Sequence, residues 1–203
     1  MFALSSNQPH RLLTPESRGP VGALTATRTD SGEMEPANEP LEPSEFDVYN
    51  RLSNMMQTFH NHFRRTWKRL QDSTLPPVDG PPKMTDDQIV REGLFFCYRL
   101  SNHHNIEERS LFPMLAQKMP EFRGDNALLL EQHREIHHGL EDLQQYLEKC
   151  RSRKTKLDLA ILRSKMEPWG HVLLLHLDLE VEMLGAENMR KYWTREEMLG
   201  MPV

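Results

Sequence analysis

The sequence predicts an all-α protein: an antiparallel up-and-down four-helix bundle with a short C-terminal helix and a disordered N-terminal tail. Three observations predict it. Apolar residues recur every three or four positions through four long segments, no stretch shows the alternation of a strand, and breaks rich in proline or glycine separate the segments.

Residues 1–44 are rich in Pro, Ser, Thr, Glu and Gly and have no apolar period, so they read as the tail, and residues 45–203 as the bundle domain. Ser44, with Asp47 three residues on, marks a helix start, and Leu52, Met56, Phe59, Phe63, Trp67 and Leu70 form the first apolar stripe. DSTLPPVDGPPK ends that helix, because four prolines and a glycine cannot continue it. Thr85 with Gln88 forms a capping-box pattern that opens a second helix running to about Lys118, with Phe96, Leu100, Leu111 and Met114 on one face and a bend at Pro113. After MPEFRGDN a third helix starts near Asn126 and carries Leu130, Leu140, Leu143 and Leu147. The basic run Arg151–Lys156 fits its C-terminus. The fourth helix holds Leu162, Met166, Trp169, Leu173, Leu177 and Leu184, with a kink at Pro168 and a stop at Gly185. TREE at Thr194 is the capping box of the short last helix.

Composition narrows the function. A net charge of -5 argues against nucleic acid or an anionic membrane surface as partner. No apolar run approaches the ~20 residues that span a bilayer. Cys97 and Cys150 stand far apart in no metal spacing and read as free thiols of a reducing compartment. The expected location is the cytoplasm. Arg11, Arg18 and Arg28 leave a mitochondrial address open, although Pro9, Pro15 and Pro20 break any amphipathic helix there.

The unusual feature is histidine: ten residues, nine of them after position 59. His60 lies on the apolar stripe of the first helix, whereas His62 aligns with Thr66 and Arg69. In HHNIEERSLFP, His103 stands four before Glu107 and His104 four before Glu108, and the two faces differ little in apolarity. In QHREIHHGL, His133 and His137 align with Leu130 and Leu140, and His138 faces solvent. In HLDLEVEML, His176 and Glu180 align with Leu173 and Leu184. One inward histidine is ordinarily a satisfied core group. Five imidazoles and two carboxylates converging in one bundle are hard to satisfy with hydrogen bonds alone. A metal satisfies them together, and imidazole plus carboxylate without thiolate suits iron, zinc or manganese. Seven ligands exceed one six-coordinate ion, which points to two.

A lone His, then HxxxE, HxxxH and HxxxE on successive helices resembles the hemerythrin-like (HHE cation-binding) domain, over residues from about 45 to 200. EERSLFP is similar to that family's second helix, and GAENMRKYWTREEM to fungal members. The resemblance implies two iron ions joined by an oxo or hydroxo bridge. It gives His133, His137 and His176 to one iron, His60 and His103 to the other, and Glu107 and Glu180 to both. Aligning the first glutamate of the pair selects His103, with His104, Glu108 and His62 as the neighbours that could replace the chosen ligands. It also implies that the iron of His60 and His103 is five-coordinate, with its vacancy near Phe63 and Phe96. The expected partner is dioxygen or a related small ligand, in sensing, storage or peroxide chemistry; the alternative is an iron-handling or iron-sensing module without dioxygen chemistry. Oxygen carriers space the last pair by five and end in aspartate, and here the spacing is four and ends in Glu180, which weakens transport more than iron binding. A ferritin-like oxidase would need Glu-x-x-His on two helices, and only Glu135 to His138 matches, on a solvated face.

Overall fold

A computed structural model describes residues 26–28, 34–36, 40–76, 84–124 and 127–201. Within the segment expected to be tail, strands β1 (Ala26–Arg28) and β2 (Met34–Pro36) pair antiparallel. Most of the rest of that segment lies outside the described residues, as do Asn126 and part of the loop that ends the first long helix.

The helices are α1 (Pro43–Tyr49), α2 (Arg51–Ser73), α3 (Asp86–Ile106), α4 (Phe112–Leu115), α5 (Leu128–Arg151), α6 (Leu159–Met183), α7 (Ala186–Met189) and α8 (Arg195–Gly200). Four of them build the bundle: α2 packs on α3, α3 on α5, α5 on α6, and α6 back on α2. Their directions alternate. Phe63 meets Phe96 while Arg69, further along α2, pairs with Glu92, earlier on α3. Helix α1 packs on α7 and α8 across one end. No helix among the described residues is long and apolar enough to cross a membrane.

The helix ends follow local chemistry, with corrections to the sequence reading. Thr85 accepts from the Gln88 amide and Gln88 returns the bond, and Thr194 and Glu197 do the same. Ser44 is not a cap: the first helix starts at Pro43, whose missing N–H costs nothing at that position, with Glu42 before it. That helix is also interrupted at Asn50, whose side chain accepts from the Ala186 amide and so ties the break to α7. Gly185 follows the end of α6, but at φ -68° it is no left-handed stop and instead caps α7. Helix α6 runs through Pro168 unbroken.

The second helix does not run continuously to Lys118. Between α3 and α4 the chain makes a π-helical turn, Glu107–Leu111, in which the Phe112 amide donates to the Glu107 carbonyl. Pro113 has no amide to offer the carbonyl four residues back and its ring crowds that turn. A widened turn just before it resolves both conflicts, and such turns gather at functional sites.

Two apolar layers result. One, from Phe63, Trp67, Phe96, Leu140, Trp169 and their neighbours, fills the end of the bundle away from α1. The other, from Leu52, Met56, Phe112, Phe122, Leu129, Trp193 and neighbours, lies under α1, α7 and α8. The indoles of Trp67 and Trp169 meet with centroids 4.6 Å apart, and Gly139 gives Trp169 the room it needs. A Cβ at Gly139 would overlap the indole at Cδ1 and Cγ. In an open helix Gly→Ala stabilises by about 1 kcal/mol. Gly139→Ala is instead expected to lower stability by about 1–3 kcal/mol through overpacking, read from the denaturant midpoint. A stabilised variant would show that the indole is free to move aside.

Candidate metal centre

Between the apolar layers lies a polar one. His60, His104, Glu107, His133, His176 and Glu180 are all buried, each at most 2% exposed. His103 is the least buried member, its side chain 11% exposed. The donor atoms fall into two groups: His60, His103, Glu107 and Glu180 in one, and His104, Glu107, His133 and His176 in the other, with the atoms of each group within 4.8 Å of one another.

The outer ring nitrogens of three histidines are already engaged. His60 Nδ1 donates to the Leu177 carbonyl at 2.8 Å. His133 Nδ1 donates to Glu108 Oε1 at 2.7 Å, and His176 Nδ1 to Gln132 Oε1 at 3.3 Å. With its proton on Nδ1, each ring turns a bare Nε2 lone pair inward, as a partner on the far side of a metal-ligating imidazole does. The inward atoms are close: His60 Nε2 and His103 Nε2 are 3.2 Å apart, as are His133 Nε2 and His176 Nε2. Two ligands at ~2.1 Å from one ion, roughly at right angles, stand ~3 Å apart.

The carboxylates join the groups. Glu107 Oε1 lies 2.8 Å from His103 Nε2 and its Oε2 lies 3.5 Å from His133 Nε2, so its two oxygens face different groups. Glu180 Oε2 lies 3.2 Å from His60 Nε2 and 3.7 Å from His176 Nε2.

Electrostatics favour a cation here. Burial, aided by His60, His133 and Arg99, pushes His103 down to about 3. Burial pushes His133 down to about 4 against the opposing pull of Glu108. His104 and His176 are held well below the usual histidine value by burial and by neighbouring histidines. These rings are neutral, the form that binds metal. Burial, then the charges of Glu180 and Glu108, raises Glu107 well above the carboxylate range, and burial raises Glu180 against the pull of His60. Both oxygens of Glu107 and Glu180 and both nitrogens of His104 are buried without a hydrogen-bond partner. Orphaned polar atoms of this kind are costly. Nitrogen and oxygen donors without thiolate fit iron, manganese or zinc.

Of the residues expected from sequence, His60, His103, Glu107, His133, His176 and Glu180 come together. His137 does not enter either group: it is half-buried, its ring edge-on to His104 with centroids 5.1 Å apart. His104 takes the inward place, stacked on His133 at 3.8 Å and 8°. Helix α3 therefore sends two adjacent histidines inward, one to each group, which a single-stripe reading of a helix does not anticipate. Glu108, which the sequence offers only as a replacement ligand, and Gln132, which it does not mark at all, are the partners behind His133 and His176. Their signal was their place beside ligands in the chain. His62 is half-buried and His138 exposed, both outside the groups.

Fold and site together define a four-helix-bundle metal-binding protein. The family model of the hemerythrin HHE cation-binding domain matches residues 51–186, and the chain belongs to that family. No curated protein and no solved structure matches it.

Removing the partner behind a ligand weakens metal binding by about 10–100-fold. Glu108→Ala is expected to do so although Glu108 offers no atom to either group. His104→Ala is expected to lower the metal bound per chain, and His137→Ala to leave it unchanged. Competitive titration against a chelator with metal quantification checks all three, and the opposite ordering of His104 and His137 would overturn the grouping.

Proposed function

We propose that the centre holds two iron ions and that the protein binds dioxygen or a related small ligand at the ion of His60 and His103. One observation carries the two-ion reading: Glu107 turns one oxygen toward each donor group. In this reading His60, His103, Glu107 and Glu180 hold one ion, and His104, His133 and His176 hold the other and share Glu107 with it. The pair would supply redox-active metal with room for a small exogenous ligand.

The protein's own residues set where that ligand enters. The group of His104, His133 and His176 is sealed in the bundle. The group of His60 and His103 borders a cleft of about 580 Å³ between α2 and α3, where His103, Glu107, Phe59 and Phe63 form the inner wall. Phe63 sits against the His103 ring with centroids 5.0 Å apart, and Phe96 lies behind Phe63 rather than in the wall. Aromatic walls exclude water and admit a small neutral molecule. The Leu177 carbonyl and Glu108 keep their imidazoles fixed while a ligand exchanges.

Protein loaded with iron is expected to contain about two ions per chain and to melt at a clearly higher temperature than chelated protein, because buried carboxylates regain a partner. Ferrous protein mixed with dioxygen, or ferric protein mixed with azide, should develop a new visible band that His60→Ala removes. Two ions with no spectral response to any small ligand would favour iron handling or sensing over dioxygen chemistry. Fewer than one ion per chain after loading would overturn the metal reading itself.

A further inference from the structure

The cleft beside His103 is far larger than dioxygen requires. Besides the residues beside the metal centre, its lining carries Met55, Phe95, Tyr98, Ile106 and Met114. Phe59, Phe95, Tyr98 and Ile106 are 41%, 52%, 69% and 56% exposed. One exposed apolar residue is ordinary, but four bordering one groove mark a binding surface. A volume of about 580 Å³ is that of a site for a drug-sized molecule.

Charge in the groove is one-sided. Among the described residues Arg99 is its only cation, half-buried, with Cζ 5.5 Å over the Phe95 ring. By contrast Arg69, further along α2, is paired across to Glu92 on α3. No carboxylate pairs with Arg99 among the described residues. The one acid in the lining, Glu107, lies two turns further along and turns its oxygens to His103 and His133.

The order of these groups along the helix gives the ligand a direction. From Arg99 the lining continues past Asn102, His103 and Ile106 to Leu111 and Met114, on the order of 20 Å of helix. Met55 and Phe59 face that length from α2. The cationic anchor stands near one end, and the apolar length extends from it past the half-buried edge of the metal centre. We propose that this groove binds an unbranched amphipathic monocarboxylate, a fatty acid, with its carboxylate on the Arg99 guanidinium and its chain between α2 and α3 toward Met114. Arg99 suits that head group because a guanidinium receives a carboxylate through two parallel hydrogen bonds. The binding does not depend on the metal, although the chain would cover the side of the group at His103.

Isothermal titration calorimetry of the full chain, metal-free and iron-loaded, tests this with decanoate, 1-decanol and decyltrimethylammonium, all below micelle formation. Decanoate is expected to bind once per chain in both forms, at least tenfold more tightly than either of the others. Affinity should rise about fourfold per methylene from octanoate to dodecanoate. Arg99→Gln should weaken decanoate at least tenfold and leave decanol unchanged, Arg99→Lys should restore only part of the difference, and Ile106→Glu should weaken both ligands. Equal affinity of decanoate and decanol, indifference to Arg99→Gln, or no saturable binding would each overturn the proposal. So would a chain that is dimeric by sedimentation and takes up no decanoate, since a second copy would then occupy the groove. Iron measured on the same samples keeps a failure of the metal reading separate.

Discussion

Six buried side chains that cannot satisfy one another control this structure. His60, His104, Glu107, His133, His176 and Glu180 form a layer with almost no solvent contact. The outer nitrogens of three of the rings are tied back to Leu177, Glu108 and Gln132, so those rings turn lone pairs, not protons, toward the two carboxylates. Acceptors therefore face acceptors. Such a layer is tolerable in a folded protein only if something positive joins it, and protonation of the carboxylates is a weaker remedy than a divalent cation. The apolar layers on either side hold the arrangement in place. They are large enough to fix four helix directions while the middle of the bundle is given over to polar groups.

The architecture was legible because helix period, capping boxes and proline breaks all act locally. Thr85 with Gln88, and Thr194 with Glu197, close their bonds within four residues, and nothing distant alters them. The four inward stripes were legible for the same reason. What was hidden depends on contact between helices. The break at Asn50 is held by the Ala186 amide, more than a hundred residues away, and no property of the first stripe announces it.

The site was legible by residue type and almost, but not fully, by phase. An α-helix advances 100° per residue, so adjacent residues ordinarily cannot both face one neighbour. His103 and His104 both face inward because α3 lies between α2 and α5: His103 turns toward His60 on α2, and His104 toward His133 on α5. The same logic separates Glu107 from Glu108. Glu107 enters the layer, while Glu108 reaches His133 from its rim. His137 has the right spacing from His133, but the inward place beside His133 is already taken by the stacked His104 ring.

The π-helical turn connects the centre to the cleft. It begins at Glu107, the residue shared by both donor groups, and ends at Leu111, which lines the groove. A regular α-helix through Pro113 would need a hydrogen bond that proline cannot give, and the widened turn absorbs that defect where the chain also has to place two adjacent carboxylates in different roles. One extra residue in the turn rotates everything beyond it relative to α3. Ser110, Leu111 and Met114 thereby join the line of Phe95, Arg99, His103 and Ile106 in one lining. The groove is thus continuous across a change of helix type, and the same turn that aims Glu107 into the bundle lays an apolar floor outside it.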